Sequence, residues 1–174
     1  MSFSLIPYIL LPSYADLTPQ MLTERGIRLL LCDLDYTLAP KYVPRPDEAL
    51  RTWLADMECA GVRVMILSNN RSSARVERFC RDLGIDYVGH AGKPSVRGYR
   101  QAMEKAGVTP AQTAMLGDKL LTDVLAAKRA GVLSLMVEPL GGAVGPWQKV
   151  LHALQAPVKG LCRENTLRSG KKNR

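Results

Sequence analysis

The stretch LLLCDLDYTLAP, residues 29–40, contains an apolar run that leads directly into two carboxylates, Asp33 and Asp35. Such a run, bounded by polar residues, is typical of a strand buried on both faces of a parallel sheet. Two acids one residue apart would repel each other at the end of that strand unless a cation neutralises them. The stretch therefore predicts a buried strand over residues 27–33 that ends beside a positive charge.

Strand-like and helix-like segments alternate along the chain after this stretch. Apolar runs of five or six residues between amphipathic segments favour a parallel sheet covered by helices on both faces. We therefore predict an α/β fold of three layers with a central parallel sheet, of the Rossmann-like type. The predicted strands cover residues 27–33, 62–68, 85–89, 112–118 and 132–139, and the predicted helices cover residues 45–61, 72–84, 95–107, 120–131 and 146–155.

The composition is that of one globular domain. The chain has 174 residues, of which 47% are hydrophobic and 23% charged. Its four cysteines form no C-x-x-C pair, which disfavours a zinc knuckle or a redox dithiol. We predict a single domain over residues 1–157 and a basic, flexible tail over residues 158–174. The tail holds six basic residues and one acidic residue, and so carries +5 of the formal charge of +8.

The two end segments of the sequence could each contact the domain, solvent or another molecule. The apolar segment at residues 3–12 is shorter than the roughly 20 residues of a membrane-spanning helix and lacks the basic start of a signal peptide. We expect it to pack against the domain, with a shallow membrane contact as the alternative. The tail is expected to be solvated, or to touch anionic lipid or nucleic acid. The expected location is the cytoplasm, with a peripheral contact at the inner membrane face as the alternative.

Polar side chains follow four successive strands of the predicted sheet. The carboxyl ends of parallel strands meet at one edge, where ligands bind in such folds, so these side chains are expected to converge. The carboxylates of Asp33, Asp35 and Asp118 would meet in one crevice and require a cation, and oxygen ligands with room for water suit Mg²⁺. A lysine, a hydroxyl and an amide beside them suit phosphate oxygens, which indicates phosphoryl transfer with a carboxylate nucleophile. The set consists of Asp33 and Asp35, then Ser68 and Asn69, then Lys93, and finally Asp118 with Asp123 five residues later.

Four short motifs in this order resemble those of the haloacid dehalogenase (HAD) superfamily. They are DLDYT at residues 33–37, LSNN at 67–70, GKP at 92–94 and GDKLLTD at 117–123. The last motif and the lead-in to the first are similar to the YqeG-type phosphatases of HAD subfamily IIIA. These in turn resemble the phosphatidylglycerophosphate phosphatases of mitochondria and plastids. The resemblance implies a HAD core and Mg²⁺ as the cofactor.

The resemblance also implies a role for each motif residue. Asp33 would be the nucleophile and a metal ligand, and Asp35 the general acid and then base, with its backbone carbonyl on the metal. Asp118 would complete the metal site, and Thr37 would support the loop. The phosphoryl group would be held by Ser68 with Asn69 beside it, Lys93 would neutralise the nucleophile and the phosphate, and Asp123 would orient a metal-bound water or Lys93.

The spacing of the motifs also bears on the shape of the site. Only 32 residues separate Asp35 from Ser68, and only 24 separate Ser68 from Lys93, and one helix and one strand fill each gap. A capless, open site is therefore predicted. No Cys/His cluster precedes the third motif, which disfavours the zinc-bearing histidinol-phosphatase branch. Tyr36, where relatives commonly have Asn or Gly, and Lys119, where Gln is frequent, are expected to alter substrate preference.

The predicted function is Mg²⁺-dependent hydrolysis of a phosphomonoester through an aspartyl-phosphate. An open site, an apolar amino end and a basic tail favour phosphatidylglycerophosphate or a similar phospholipid headgroup as the substrate. The alternatives are a nucleic-acid end phosphatase, a small-metabolite phosphatase, and a non-catalytic HAD module that binds RNA or ribosomes through the tail. The intact acids and lysine of the motifs weigh against the non-catalytic alternative.

Overall fold

The computed structural model describes residues 5–69 and 73–141 and, in the carboxyl-terminal part, residues 153, 156–158, 160–162 and 164–165. These residues form a seven-stranded sheet in which all the paired strands run parallel. The order across the sheet is β4-β3-β2-β5-β6-β1-β7. The strands are β1 (Ile9–Leu11), β2 (Leu29–Cys32), β3 (Arg63–Leu67), β4 (Asp86–Val88), β5 (Thr113–Gly117), β6 (Leu133–Val137) and β7 (Glu164–Asn165).

Helices cover both faces of this sheet. On β2, Leu30 and Cys32 point to one face, and Leu29 and Leu31 point to the other, as the alternation of a strand requires. The first face packs against α2 and α3, and the second packs against α4 and α5. The helices are α1 (Pro19–Thr23), α2 (Glu48–Cys59), α3 (Ser73–Leu83), α4 (Arg97–Ala106) and α5 (Leu125–Ala130).

The predicted α/β fold with a parallel sheet and three layers is confirmed, and each of the five predicted strands is present. One helix differs from its prediction. The segment predicted as a helix over residues 120–131 begins with a π-helical turn, Leu120–Val124, which leads into α5. The predicted helix over residues 146–155 lies outside the described residues, apart from residue 153.

The apolar amino-terminal segment is part of the sheet. Strand β1 pairs with β6 through Ile9 and Leu11, and all three of its residues are buried. Packing against the domain, the outcome expected for this segment, is therefore what the structure has. On its other side β1 pairs with β7, so Glu164–Asn165 of the predicted tail forms a strand that the sequence analysis did not anticipate. Within the described residues, the helices are too short or too polar to cross a bilayer.

Strand β2 lies where the order of the sheet reverses. The chain proceeds from β2 to β3 and β4 on one side, and β5 and β6 lie on the other. The connection from β2 to β3 contains α2, and the connection from β3 to β4 contains α3. In open parallel sheets a crevice forms outside the carboxyl ends of the strands at such a reversal. The residues that follow β2 and β5 are therefore placed to form a site.

Candidate active site

Two aspartates are brought together because their strands are neighbours. Asp33 follows β2 and Asp118 follows β5, and the backbone N–H of Asp33 donates to the Leu116 carbonyl at 2.9 Å. Both acids are buried, with 6% and 8% of their surface exposed. Burial opposes ionisation of Asp33, but the charges of Lys93 and Lys119 outweigh it and lower the pKa of that carboxyl. Asp33 is thus held as an anion.

Lys93 provides one of these charges from the centre of the site. Its Nζ lies 2.9 Å from Asp33 Oδ1 and 2.6 Å from Asp123 Oδ1, and it donates to the Leu67 carbonyl at 2.8 Å. Only 2% of the side chain is exposed. Burial lowers the pKa of Lys93, but the carboxylates of Asp123 and Asp33 raise it further, so the ammonium keeps its charge. The structure therefore places the buried ammonium group of Lys93 between the carboxylates of Asp33 and Asp123.

Lys119 provides the second positive charge, on the solvent-exposed side of the site. Its Nζ lies 2.8 Å from Asp118 Oδ1 and 3.4 Å from Asp33 Oδ2, and 40% of its side chain is exposed. Thr37 is fully buried and its hydroxyl donates to Asp118 Oδ1 at 3.3 Å. The Asp118 carboxyl is consequently anchored by a residue of the first motif and a residue of its own motif.

Three of the acidic side chains could hold a divalent cation. Carboxylate oxygens of Asp33, Asp118 and Asp123 all lie within 4.8 Å of one another, and the three residues are buried. Burial, helped by the charges of Asp33 and Asp123 and opposed by Lys119, raises the pKa of Asp118 to about 6. A cluster of buried oxygen donors with this excess of negative charge fits a hard divalent cation. The third carboxylate of the cluster belongs to Asp123, whereas the residue types alone had suggested Asp35.

Asp35 is bound instead by a residue that the sequence analysis missed. Arg75, in the first turn of α3, donates from Nη1 to Asp35 Oδ1 at 2.5 Å. Its sequence neighbourhood is that of an ordinary amphipathic helix, and no motif or spacing marks it. The only available signal is its place four residues before the buried Phe79, on whose ring the guanidinium lies at 5.6 Å.

The LSNN motif holds the backbone of the GKP motif in place. The Asn69 side chain donates from Nδ2 to the Lys93 carbonyl and accepts from the Lys93 N–H at Oδ1, both at 2.8 Å. Asn69 thus positions the backbone of Lys93, and the role beside the phosphoryl group that the resemblance implies stays a prediction. Ser68 is buried at the end of β3, where its N–H donates to the Val88 carbonyl and its carbonyl accepts from the Ala91 N–H.

Two motif residues without a predicted catalytic role are notable for their backbone surroundings. Gly117 must lack a side chain, because a Cβ there would lie 2.4 Å from the Asp123 carboxyl group. Tyr36 has a positive φ of 67°, and its N–H donates to the Ala39 carbonyl at 2.8 Å. Its carbonyl accepts from the Leu140 N–H at 2.7 Å, which ties the loop after β2 to the segment after β6.

Comparison with known proteins gives this arrangement a family. The family model for haloacid dehalogenase-like hydrolases matches residues 36–131, which is more than half of the chain. The chain belongs to the haloacid dehalogenase-like hydrolases. It is 33% identical over 129 residues to the probable phosphatase YqeG of Bacillus subtilis strain 168, a match that covers 74% of each protein.

A more distant relative agrees with this assignment to the HAD hydrolases, and a solved structure shares the fold. The chain is 26% identical to the chloroplastic phosphatidylglycerophosphate phosphatase 1 of Chlamydomonas reinhardtii, over 84% of this chain and 57% of that protein. The cobalt-bound deoxy-D-mannose-octulosonate 8-phosphate phosphatase of Haemophilus influenzae has the same fold, with a TM-score of 0.50 at 20% identity over 78% of this chain and 91% of that one. The predictions of a YqeG-type member of the HAD superfamily and of a phosphatase-type enzyme are confirmed.

Proposed function

We propose that this HAD hydrolase is a Mg²⁺-dependent phosphomonoester phosphatase that forms an aspartyl-phosphate on Asp33. The observation that carries the proposal is the buried Asp33 carboxylate, kept ionised by Lys93 and grouped with Asp118. A carboxylate held in this way is a competent nucleophile toward phosphorus. Asp33, Asp118 and the backbone carbonyl of Asp35 would hold the cation, which when bound supplies positive charge to the phosphoryl oxygens. Asp123, whose Oδ1 lies 2.6 Å from Lys93 Nζ, would orient Lys93 instead of binding the cation.

The proposed reaction has two displacements at phosphorus. Asp33 attacks in line, the bond from phosphorus to the leaving oxygen breaks, and Asp35 gives that oxygen its proton. Water then attacks the aspartyl-phosphate, gives a proton to Asp35 and releases inorganic phosphate with the free Asp33 carboxylate. Lys93 keeps its charge beside Asp33 and offsets the negative charge of the phosphoryl group during both steps.

The proposal is tested by Asp33→Asn. We expect kcat toward para-nitrophenyl phosphate with Mg²⁺ to fall at least about a thousandfold, because the amide cannot act as the nucleophile. A rapid acid quench with radioactive substrate should leave a hydroxylamine-sensitive phosphate on the wild-type chain and none on the variant. Asp56→Asn, at an exposed position of α2, is the control. Full turnover by Asp33→Asn would exclude this mechanism.

For the substrate we propose phosphatidylglycerophosphate or a similar phospholipid headgroup, bound at the surface of an anionic membrane. Two exposed apolar side chains support a lipid-facing rim: Tyr42, 74% exposed in the loop after β2, and Leu121, 53% exposed after β5. Both belong to connections that leave the carboxyl edge of the sheet, beside the acids. Lys41 and Arg45 flank Tyr42, and basic side chains near an aromatic one suit an anionic interface.

The substrate proposal is tested with the double variant Tyr42→Ser/Leu121→Ser. Activity on phosphatidylglycerophosphate in phosphatidylglycerol vesicles should fall severalfold, whereas activity on soluble para-nitrophenyl phosphate should stay unchanged. Leu161→Ser removes another exposed apolar side chain, 68% exposed, and serves as the control. If the double variant keeps the same fraction of wild-type activity on both substrates, Tyr42 and Leu121 do not form a lipid-binding rim. A higher kcat/KM for a nucleic-acid end or a small metabolite would point to those alternatives, and a lack of turnover with intact RNA binding would point to the non-catalytic module.

A further inference from the structure

Arg75 makes several contacts close to Asp35, outside the cluster of Asp33, Asp118 and Asp123. It donates from Nη1 to Asp35 Oδ1 at 2.5 Å and from Nη2 to the carbonyls of Pro40 and Val43, each at 3.1 Å. Its guanidinium carbon lies 5.6 Å from the centre of the Phe79 ring. The side chain is only 17% exposed, and that of Asp35 is 16% exposed.

These contacts hold the guanidinium through both of its terminal nitrogens and through one face. The carboxylate and the two carbonyls lie at its edges, and the ring of Phe79 supports its face. Arginine is suited to this task because its donors form a rigid planar fork and its face stacks on aromatic rings. Charge-assisted bonds to a carboxylate are also shorter and stronger than neutral ones. The orientation of the Asp35 carboxyl group is thus set by α3 and by the loop after β2 together.

The contact also decides which oxygen of Asp35 can carry a proton. A guanidinium has donors only, so the oxygen that it contacts must act as an acceptor. Arg75 contacts Oδ1, so Oδ2 is the oxygen from which Asp35 would give a proton in the proposed reaction. A general acid has to lie within hydrogen-bond reach of the atom that it protonates, and small displacements are costly.

We propose that Arg75 is a positioning residue that orients the Asp35 carboxyl group for proton transfer to the leaving oxygen. The inference rests on the proposed function, in which Asp35 gives its Oδ2 proton to the departing alkoxide as the bond from that oxygen to phosphorus breaks. Water returns a proton to the same oxygen in the second displacement. Arg75 itself neither gives nor takes a proton and does not contact the substrate.

The test compares two leaving groups in Arg75→Gln and Arg75→Lys. A simple alkyl phosphate needs its leaving oxygen protonated, whereas para-nitrophenolate leaves without a proton. For Arg75→Gln we expect kcat/KM to fall about a hundredfold on the alkyl phosphate and less than about threefold on para-nitrophenyl phosphate. Arg75→Lys keeps the charge but cannot contact the carboxylate and both carbonyls, so only part of the alkyl phosphatase activity should remain. Arg78→Gln, at an exposed position of α3, should change neither substrate.

A purely structural role would give a different pattern. It would lower both activities by the same factor together with the melting temperature, and that result, or no change at all, would overturn the inference. If Arg75→Gln fails to fold, Arg75→Lys and Phe79→Leu are measured with the same two substrates, and equal losses there overturn it as well. Asp35→Asn separates the two proposals. If this variant shows the leaving-group selectivity and the Arg75 variants do not, the role of Arg75 is wrong and the mechanism stands. Without selectivity in Asp35→Asn, the general-acid step of the proposed function is wrong.

Discussion

At the scale of single residues, Lys119 stands in direct competition with a cation. Its ammonium lies 2.8 Å from Asp118 and 3.4 Å from Asp33, the two side chains that would also coordinate a metal. Two positive charges a few ångströms apart near a protein surface repel each other by a few kcal/mol, and mobility of the half-exposed lysine reduces this. Lys119 therefore offsets the acids when no metal is bound and opposes the metal when one binds.

We expect Lys119→Gln to bind Mg²⁺ about tenfold more tightly than the wild type, because the competing ammonium is removed. Isothermal titration calorimetry with Mg²⁺ alone measures this directly. Arg100→Gln changes the net charge by the same amount at an exposed position of α4 and should leave the affinity unaltered. Unchanged or weaker binding in Lys119→Gln would mean that the ammonium does not compete for these carboxylates.

The pKa of Asp118 predicts how cation binding depends on pH. Burial raises this pKa to about 6, above the ordinary value of 3.8, so a proton occupies the carboxyl below about pH 6 and the cation must displace it. The stabilisation by Mg²⁺ is thus nearly complete about one pH unit above this pKa and is lost as the pH falls through it. Apparent affinity should be about tenfold weaker at about pH 5 than at about pH 7.5.

Thermal unfolding with and without Mg²⁺ at several pH values measures this dependence. Asp33 adds nothing in that range, since Lys93 and Lys119 hold its pKa below the ordinary value. In Asp118→Asn the shift in melting temperature caused by Mg²⁺ should be small at every pH. A shift that is equally large at about pH 5 and about pH 7.5 in the wild type would contradict the assignment of Asp118 as a ligand.

At the scale of elements, helix α4 packs directly onto the backbone that carries Lys93. A Cβ at Gly98 would lie 2.9 Å from the Cβ of Ala91 and 3.0 Å from its Cα and its carbonyl oxygen. The Ala91 N–H in turn donates to the Ser68 carbonyl at 3.0 Å. The glycine, which weakens the helix as a local sequence, is therefore explained by a close approach between α4 and the third motif.

Gly98→Ala should consequently destabilise the protein although alanine favours a helix by about 1 kcal/mol. We expect a net loss of about 1–3 kcal/mol in the free energy of unfolding, together with a lower kcat as the Lys93 segment shifts. Urea denaturation and a phosphatase assay measure the two effects. Gln101→Ala, on the exposed side of the same helix, gains the propensity without the clash and should be neutral or stabilising. A Gly98→Ala protein as stable as the wild type would show that the contact can relax freely.

The elements differ in how far the sequence predicts them. Strands β2, β3, β5 and β6 were predictable because each is an apolar run between amphipathic segments, and the short β4 was predictable from its place between two such helical segments. Asp33 and Asp118 followed because strand ends share an edge. Strand β1 has only three residues between prolines, and β7 has two, so neither has a pattern of its own. Contacts between elements could not be predicted either, because they too leave no pattern in the sequence. Whether Arg75 meets Asp35 depends on the distance between α3 and a loop, which no spacing along the chain encodes.

At the scale of the whole molecule, the amino-terminal strand β1 packs against the turn that carries one of the active-site acids. Leu10 of β1 is 1% exposed and packs in a cluster with Met136 of β6 and with Leu120 and Val124 of the π-helical turn. The same turn carries Asp123, whose carboxylate contacts Lys93. The amino-terminal segment, for which a membrane contact was the alternative, is thus buried in the sheet. It packs against the turn that carries Asp123.

This packing predicts that Leu10→Ala weakens the fold without affecting lipid binding. Removing a buried leucine side chain costs about 2–5 kcal/mol of unfolding free energy, since it leaves a cavity among Met136, Leu120 and Val124. Urea denaturation measures this loss, and sedimentation with phosphatidylglycerol vesicles at moderate salt measures binding of the folded protein. Tyr42→Ser is the converse variant, expected to reduce sedimentation and to leave stability unchanged. If Leu10→Ala keeps its stability but loses vesicle binding, the amino-terminal segment and not the rim makes the lipid contact.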